Sequence, residues 1–281
     1  MGAGPGHLLR HGLASRVRAL GHEVAAEIAD VVDRPGLEIG TTFALWRELA
    51  RRVRCAHDRG ELPVVLSGNC GATIGAVAGA SLGTGAGARD DLGIVWLDAH
   101  GDFNTPETSE SGFLDGMALA TLVGRCWRRV AATVPGFAPI AERRVLHVGA
   151  RALDPEEETE LESSAVAVVP ASELRGRGVA AALAAPLDAL TSGCRRVHLH
   201  VDLDVLDARS VGRANGFAPE GGLSLAELGE VVRMLGKRAP IASVTFSAYD
   251  PAHDHRGGVF NAAGALLELI AELQNDRAPD V

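Results

Sequence analysis

The chain has too few basic residues for a typical nucleic-acid-binding protein. Its 27 lysines and arginines stand against 36 aspartates and glutamates, which gives a net charge of −9 and a pI near 5.6. A partner rich in phosphate needs a basic face, so we expect neither nucleic acid nor an anionic membrane as a partner. The chain also lacks a signal peptide and any run of about 18 apolar residues, and we therefore expect a soluble, cytoplasmic protein.

Cysteine is scarce, and so is any sign of a boundary between domains. Cys55, Cys70, Cys126 and Cys194 show no paired spacing and no secreted context, so we expect reduced thiols. No segment rich in proline, glycine or serine divides the chain, and no block of charge does. With 281 residues, 47% of them hydrophobic, the chain is long enough for one large α/β domain. We predict that residues 1–281 form a single domain.

The apolar run Leu92–Leu97 has the character of a buried strand, and polar residues follow directly at its carboxyl end. These residues are Asp98, His100 and Asp102. Side chains two apart in an extended segment point to the same side, so two carboxylates and one imidazole are expected to converge. This arrangement is typical of half of a metal site. An ordinary polar loop at a strand end is the alternative interpretation.

A second strand, predicted over residues 196–201, repeats the pattern and is followed by Asp202 and Asp204. Four carboxylates and one imidazole carry too much negative charge for one divalent ion, but they suit two. Burying unpaired carboxylates together is costly without cations, which makes the loop alternative less favoured. His198 and His200 lie inside the apolar run, and we expect core or supporting roles for them rather than metal ligation.

The rest of the chain alternates predicted strands with predicted helices. Strands are predicted over residues 23–28, 63–66, 144–149, 165–169 and 242–246, and helices over residues 45–56, 72–82, 179–190, 225–235 and 262–273. The helix over 179–190 is expected to break near Pro186, and residues 276–281 are expected to fray. Asp154 and Ser224 are candidate helix N-caps. The alternation favours a doubly wound parallel sheet, in which ligands bind at the carboxyl ends of strands, so Cys70 is expected to meet Asp98 and Asp202.

The segments Asp98-Ala-His-Gly-Asp-Phe-Asn-Thr-Pro106 and His200-Val-Asp-Leu-Asp-Val-Leu-Asp207 resemble the two signature motifs of the arginase (ureohydrolase) family. The resemblance runs from about Gly2 to Gly264. It implies a three-layer α/β/α sandwich with a mostly parallel sheet, a binuclear manganese centre and hydrolysis of a C–N bond in a linear guanidino or amidine substrate. The family's first strand has no counterpart before Gly2. We expect the chain to begin downstream of its natural start, because deleting an interior strand would leave unpaired ladder edges.

The resemblance also implies a ligand set for two Mn(II) ions. The implied ligands are Cys70, Asp98, His100, Asp102, Asp202 and Asp204. Asp98 and Asp202 would bridge the ions, Cys70 and Asp102 would complete one of them, and His100 and Asp204 the other. Cys70 stands where the family usually has a histidine, and inert packing is the alternative for a buried cysteine at a helix start. A thiolate is a competent but softer ligand, so Fe, Co or Zn stay open.

Three further positions match residues that hold the amino acid head group in arginases. Asn104 and Ser111 would bind the α-carboxylate, and Asp154 would serve the α-amino group. Agmatinases do not need the carboxylate contacts, so an intact amino acid substrate is favoured. Two positions depart from the family: Asp115 replaces the acid/base histidine, and Ala248 replaces the glutamate that binds the guanidinium.

These departures point within the family to a subgroup that acts on Nω-hydroxy-L-arginine. That subgroup resembles the chain in its metal-site cysteine, in the reading Gly-Asp-Phe-Asn-Thr-Pro-Glu-Thr over residues 101–108, and in lacking the acid/base histidine. We expect a metal-dependent hydrolase of a small amidine or hydroxyguanidine substrate, with Asp115 as the catalytic residue in place of the acid/base histidine. Agmatinase or formiminoglutamase activity is one alternative, and a non-catalytic metal-binding sensor of a metabolite is another. A homo-oligomer is compatible with the sequence.

Overall fold

The structure is a computed structural model that describes residues 1–31, 37–81 and 91–275. Within these ranges six strands form one sheet in the order β1-β6-β5-β2-β3-β4, and every pairing is parallel. The strands are β1 (Val64–Leu66), β2 (Leu92–Leu97), β3 (Val145–Val148), β4 (Ala167–Val169), β5 (Arg196–Asp202) and β6 (Ile241–Ser247). Each neighbouring pair is hydrogen-bonded, so the described strands leave no gap inside the sheet. The upstream strand stays a prediction.

Helices connect the strands and cover the sheet. In the described ranges they are α1 (Gly4–Arg10), α2 (Leu13–Ala19), α3 (Glu38–Asp58), α4 (Ala72–Ser81), α5 (Ala118–Leu122), α6 (Arg128–Ala131), α7 (Pro155–Glu162), α8 (Ala171–Arg177), α9 (Val179–Ser192), α10 (Leu225–Arg238) and α11 (Gly258–Asn275). Short 3-10 helices lie at Leu114–Met117, Glu142–Arg144 and Leu203–Val205. No helix of the described part combines the length and the apolar character needed to cross a bilayer.

The two faces of the sheet carry separate hydrophobic cores. Along β2, Val95 and Leu97 belong to one core, while Ile94 and Trp96 belong to the other, because successive side chains of a strand point to opposite faces. The first core includes residues of α1, α2 and α8–α11, and the second includes residues of α3–α7. Every residue of β2 is buried, as expected for a parallel strand covered on both faces. The predicted three-layer α/β/α sandwich is confirmed.

Both predicted helix caps are confirmed. Ser224 is the N-cap of α10, and its hydroxyl accepts the backbone N–H of Glu227 while the Glu227 carboxylate accepts the N–H of Ser224. Asp154 is the N-cap of α7 and has the same reciprocal pattern with Glu157, whose carboxylate accepts the Asp154 N–H at 3.2 Å. Such capping boxes satisfy backbone donors that the first helical turn leaves free. The cap at Asp154 fixes the start of α7 at the carboxyl edge of the sheet.

Two local predictions were wrong. Residues 23–28 form neither helix nor strand, and the side chain of Ile28 is largely exposed, so the alternating pattern there has no sheet to bury it. Helix α9 continues through Pro186 instead of breaking. Leu183 and Leu187 lie on either side of the proline and are buried in the same core, and this packing offsets the missing backbone hydrogen bond. The tail predicted to fray, residues 276–281, lies outside the described residues.

Candidate metal centre

The register of the two central strands places the predicted acidic residues side by side. Strands β2 and β5 are neighbours, with Leu97 opposite Val201. The next residue along each strand end is an aspartate, Asp98 beside Asp202. Since all strands are parallel, the loops that follow them gather at the same edge of the sheet. The site is therefore built at the carboxyl edge, between the middle strands.

Two groups of potential ligand atoms form at this edge, and Asp98 belongs to both. The first group is Cys70, Asp98, His200 and Asp202, and the second is Asp98, His100 and Asp204. Within each group, one ligand atom from each residue lies within 4.8 Å of the others. Two adjacent groups that share a carboxylate can hold two ions side by side. Asp202 belongs to the first group only, so its predicted bridging role stays a prediction.

The second group is ordered by hydrogen bonds around Asp98 and His100. The backbone N–H of His100 donates to Asp98 Oδ1 at 2.8 Å, and Trp96 Nε1 donates to Asp98 Oδ2 at 3.1 Å. His100 Nδ1 lies 3.3 Å from Asp204 Oδ2, which also accepts from Asn215 Nδ2 at 3.2 Å. Donors that hold ligand carboxylates in place support the geometry of a metal site.

Cys70 lies in the first group and its thiol faces Asp202. Sγ donates to Asp202 Oδ2 at 2.8 Å and lies 3.2 Å from Ser247 Oγ. Burial, reinforced by the charge of Asp202, raises the pKa of the Cys70 thiol well above its usual value. A nearby cation reverses this effect, because a metal binds the thiolate and not the thiol. The position fits a ligand better than a packing residue with no polar contact.

Asp102 belongs to neither group, yet it shows most directly that the residues fit a cation. Its backbone has a left-handed φ of 50°, which is uncommon for a residue other than glycine. Its carboxylate is buried, and Oδ2 has no hydrogen-bond partner. A buried carboxylate oxygen without a partner costs free energy that a divalent ion would offset. Asp102 is thus available to an ion, and its predicted role as a metal ligand stays a prediction.

The carboxylates are too crowded to be ionised together without cations. Burial raises the pKa of Asp98 to about 6, and the charge of Asp204 adds to the shift. Burial and the charges of neighbouring aspartates raise the pKa of Asp102 and that of Asp202 well above the usual range. Like charges held together in a buried site cannot all stay ionised on their own. The donor set of oxygen, imidazole and thiolate therefore fits two divalent ions.

Two of the three predicted head-group residues are in contact. Asn104 Nδ2 donates to Asp154 Oδ2 at 2.9 Å, and Thr108 Oγ1 donates to Asn104 Oδ1 at 3.0 Å. Ser111 is exposed, and its Oγ accepts the backbone N–H of Phe113 at 3.1 Å. The structure thus brings Asn104 and Asp154 together and places Ser111 on the same loop, further towards solvent.

Glu157 supports this loop, a role that was not predicted from the sequence. Its Oε1 accepts the backbone N–H of Phe103 at 2.8 Å, while Oε2 accepts that of Asp154. Gly101 passes so close that an added Cβ would lie 2.7 Å from Glu157 Cδ. Glu157 therefore ties the loop carrying Asp102 and Asn104 to the start of α7. Its position three residues after Asp154 was the signal that could have identified it.

Asp115, the predicted catalytic residue, is buried against the turn that carries Cys70. Its Oδ1 accepts the backbone N–H of Gly71 at 2.9 Å. Burial raises the pKa of the Asp115 carboxyl, and hydrogen bonds from the backbone of Gly71 and Cys70 and from the Asn69 side chain oppose that rise. The carboxylate thus holds the turn in place. Its role in proton transfer stays a prediction.

Replacing Asp115 by asparagine should lower the stability of the protein. The amide keeps the size but replaces one accepting oxygen with a donor, so at least one of these hydrogen bonds is lost, at a cost of about 1–3 kcal/mol. Thermal denaturation should show a lower Tm, and the exposed Glu107→Gln variant on the neighbouring loop should not. An unchanged Tm together with a reduced kcat would indicate that Asp115 serves proton transfer alone.

Ala248 lies next to the second group and supplies no carboxylate. Its side chain is 3% exposed and its φ is 59°. Its carbonyl oxygen accepts from Asn215 Nδ2 at 2.8 Å, and the same Nδ2 donates to Asp204. Residue 248, which the sequence predicted to match the family's guanidinium-binding glutamate, is a small apolar residue linked to Asp204 through Asn215.

His200 is the residue of the first group that the sequence did not predict as a ligand. His198 is a core residue, as predicted, with Nδ1 2.7 Å from Ser243 Oγ and Nε2 3.3 Å from Thr245 Oγ1. His200 lies two residues closer to the site on the same face of β5 and reaches the ligand atoms of Cys70 and Asp202. The spacing of His200 and Asp202, two apart at a strand end, was the available signal.

The chain is similar to known arginases in sequence and in fold. The arginase family model matches residues 3–272. Arginase from Bacillus subtilis (strain 168) is 34% identical over 224 residues, which cover 79% of this chain and 73% of that protein. The crystal structure of arginase from Bacillus cereus matches with a TM-score of 0.86 at 29% identity, covering 96% of this chain and 91% of that one. The formimidoylglutamase from Bacillus subtilis has a TM-score of 0.72 at 17% identity and shows the shared fold.

The parallel sheet and the paired ligand groups at its carboxyl edge define an α/β/α protein with a candidate site for two metal ions. The family match extends over nearly the whole chain. The chain belongs to the arginase family.

Proposed function

We propose that the protein hydrolyses a C–N bond of a weakly basic amidine or hydroxyguanidine on an amino acid, with Nω-hydroxy-L-arginine as the favoured substrate. The observation that carries this proposal is Ala248, a buried apolar residue whose carbonyl oxygen is linked through Asn215 to Asp204 of the second ligand group. The relatives named arginase support hydrolysis of a guanidino group. The missing carboxylate favours a substrate that does not need a counter-ion.

The proposed centre holds two Mn(II) ions. Asp98 and Asp202 would bridge them, Cys70 and Asp102 would complete one, and His100 and Asp204 the other. When bound, the two ions act as Lewis acids and lower the pKa of water at the site. The oxygen and imidazole donors suit Mn(II), while the thiolate of Cys70 keeps Fe, Co or Zn as competitors.

The loops after β2 and β3 would bind the amino acid head of the substrate. Asp154 offers a carboxylate for the α-amino group, and Asn104 is held beside it at 2.9 Å. Ser111 carries an exposed hydroxyl that can donate to the α-carboxylate. These groups orient the substrate so that its guanidino carbon lies at the ligand cluster, and correct placement supplies a large part of the rate.

Substrate turnover by Mn-loaded protein tests the proposal. The panel contains L-arginine, Nω-hydroxy-L-arginine, agmatine and formiminoglutamate, and the assay measures release of the substrate's amine product. Release from Nω-hydroxy-L-arginine, together with hydroxyurea, supports the proposal. Preference for agmatine or formiminoglutamate would assign another activity of the family. No turnover of any member would favour a metal-binding sensor.

Cys70 gives a separate prediction for the metal centre. Loss of a group that only supports a ligand lowers metal affinity by about 10–100-fold. Loss of a ligand itself should cost more, so Cys70→Ala should lower the affinity for one ion by more than about 100-fold. Cys70→His should retain both ions, because imidazole is an equivalent donor. Metal content after dialysis against buffered Mn(II) measures both variants. If Cys70→Ala binds both ions as tightly as the parent, the thiol is only a packing residue.

A further inference from the structure

We propose that His200 binds the same metal ion as Cys70, through Nε2, so that this ion has both a sulfur and an imidazole ligand. The inference rests on the proposed two-metal site and adds a ligand that the signature motifs do not predict. It follows from where the imidazole ring lies, from the partners of its two nitrogens and from the contrast with His198.

The ring of His200 is fixed in place beside the first ligand group. It is fully buried and stacks on the Trp96 indole, with 3.7 Å between ring centroids and 25° between planes. Trp96 Nε1 in turn donates to Asp98 Oδ2 at 3.1 Å. One ligand atom of His200 lies within 4.8 Å of those of Cys70, Asp98 and Asp202. A ring held this rigidly is already positioned for coordination.

The two nitrogens of His200 have unequal partners. Nδ1 lies 2.7 Å from Thr73 Oγ1, a normal hydrogen bond. Nε2 lies 3.5 Å from Ser247 Oγ, which is longer than a normal hydrogen bond. A histidine that binds a metal usually has its other nitrogen hydrogen-bonded, because that bond fixes the orientation of the ring. Nε2 is thus the nitrogen left for an ion.

Ser247 lies near both Nε2 of His200 and the Cys70 thiol. Its Oγ lies 3.2 Å from Cys70 Sγ as well as near His200 Nε2. Thr73, which holds the other side of the ring, belongs to α4, the helix that follows directly after Cys70. The same turn and helix therefore supply the thiol and orient the imidazole.

His198 provides the contrast. It is equally buried and lies on the same face of β5, with Nδ1 2.7 Å from Ser243 Oγ and Nε2 3.3 Å from Thr245 Oγ1, closer to a hydroxyl than the Nε2 of His200 is. It is absent from both ligand groups, and among the described residues its surroundings are those of a satisfied core histidine. His198 is thus a matched control for any substitution at His200.

Zinc-loaded protein tests the proposal without using turnover. X-ray absorption on protein carrying two Zn(II) ions counts imidazole and sulfur ligands. The parent and His198→Asn should show two imidazoles, from His100 and His200, and His200→Asn should show one. His200→Asn should also bind its weaker ion at least about tenfold less tightly than the parent, while His198→Asn should not.

One imidazole in the parent spectrum would overturn the proposal, and this outcome does not depend on whether a variant folds. Equal zinc affinities and equal imidazole counts in the parent and His200→Asn would overturn it as well. Two imidazoles without turnover of any panel substrate would reject the proposed function and leave His200 as a ligand. Turnover of Nω-hydroxy-L-arginine by a protein whose parent spectrum shows one imidazole would support the proposed function and reject His200 as a ligand.

Discussion

Asp202→Asn should lose most of the bound metal and all measurable turnover. Asp202 is buried, with Oδ1 accepting the Asp204 N–H and Oδ2 2.8 Å from the Cys70 thiol. Asparagine removes the negative charge that balances the positive charge of the ions. It also replaces one carboxylate oxygen with an amide NH2 group, which does not coordinate a metal ion. We expect less than about one metal ion per chain after dialysis, because metal affinity depends on the deprotonated ligand.

Measurements of stability separate metal loss from misfolding. An ion that binds only the folded state raises the Tm, so Mn(II) should stabilise the parent and have much less effect on Asp202→Asn. The control is Asp188→Asn, which removes an exposed ion pair with Arg238 and should keep both ions. An Asp202→Asn protein with two ions and full turnover would contradict the bridging assignment.

The sequence predicted the clustering at the site because strand ends in a parallel sheet share one edge. That rule brings Asp98 next to Asp202, and the pairing of Leu97 with Val201 shows how. The rule that side chains two residues apart point to the same side was less useful for residues beyond the end of the strand. Strand β2 ends at Leu97, and Asp102 has a left-handed backbone, so its position depends on a turn and not on an extended segment.

Contacts between residues far apart in the sequence could not be predicted from local sequence patterns. The contact of Asp115 with the Gly71 N–H spans 44 residues, and the contact of His200 with Thr73 spans 127. Such contacts depend on how helices pack on the sheet, which spacing along the chain does not encode. Pro186 shows the same limit, since its local preference is overridden by buried leucines on either side.

Nω-hydroxy-L-arginine should be hydrolysed far better than L-arginine. A guanidinium enters as a cation, and Ala248 supplies no carboxylate to pair with it, so its burial costs several kcal/mol. A difference of about 3 kcal/mol corresponds to about 100-fold in kcat/KM. The hydroxyl oxygen withdraws electron density and makes the hydroxyguanidine much less basic, so that substrate can enter neutral. Comparing kcat/KM for the two substrates at equal Mn(II) measures the effect.

Restoring a carboxylate at residue 248 should reverse this preference. In Ala248→Glu, the new charge can pair with a guanidinium, and kcat/KM for L-arginine should rise relative to that for Nω-hydroxy-L-arginine. The parent already has a side chain at φ 59°, so the substitution does not introduce the first Cβ into this backbone conformation. Ala248→Gln has nearly the same size without the charge and should leave the ratio close to that of the parent. A parent protein that prefers L-arginine, or equal ratios in the Glu and Gln variants, would show that the missing carboxylate does not set the substrate.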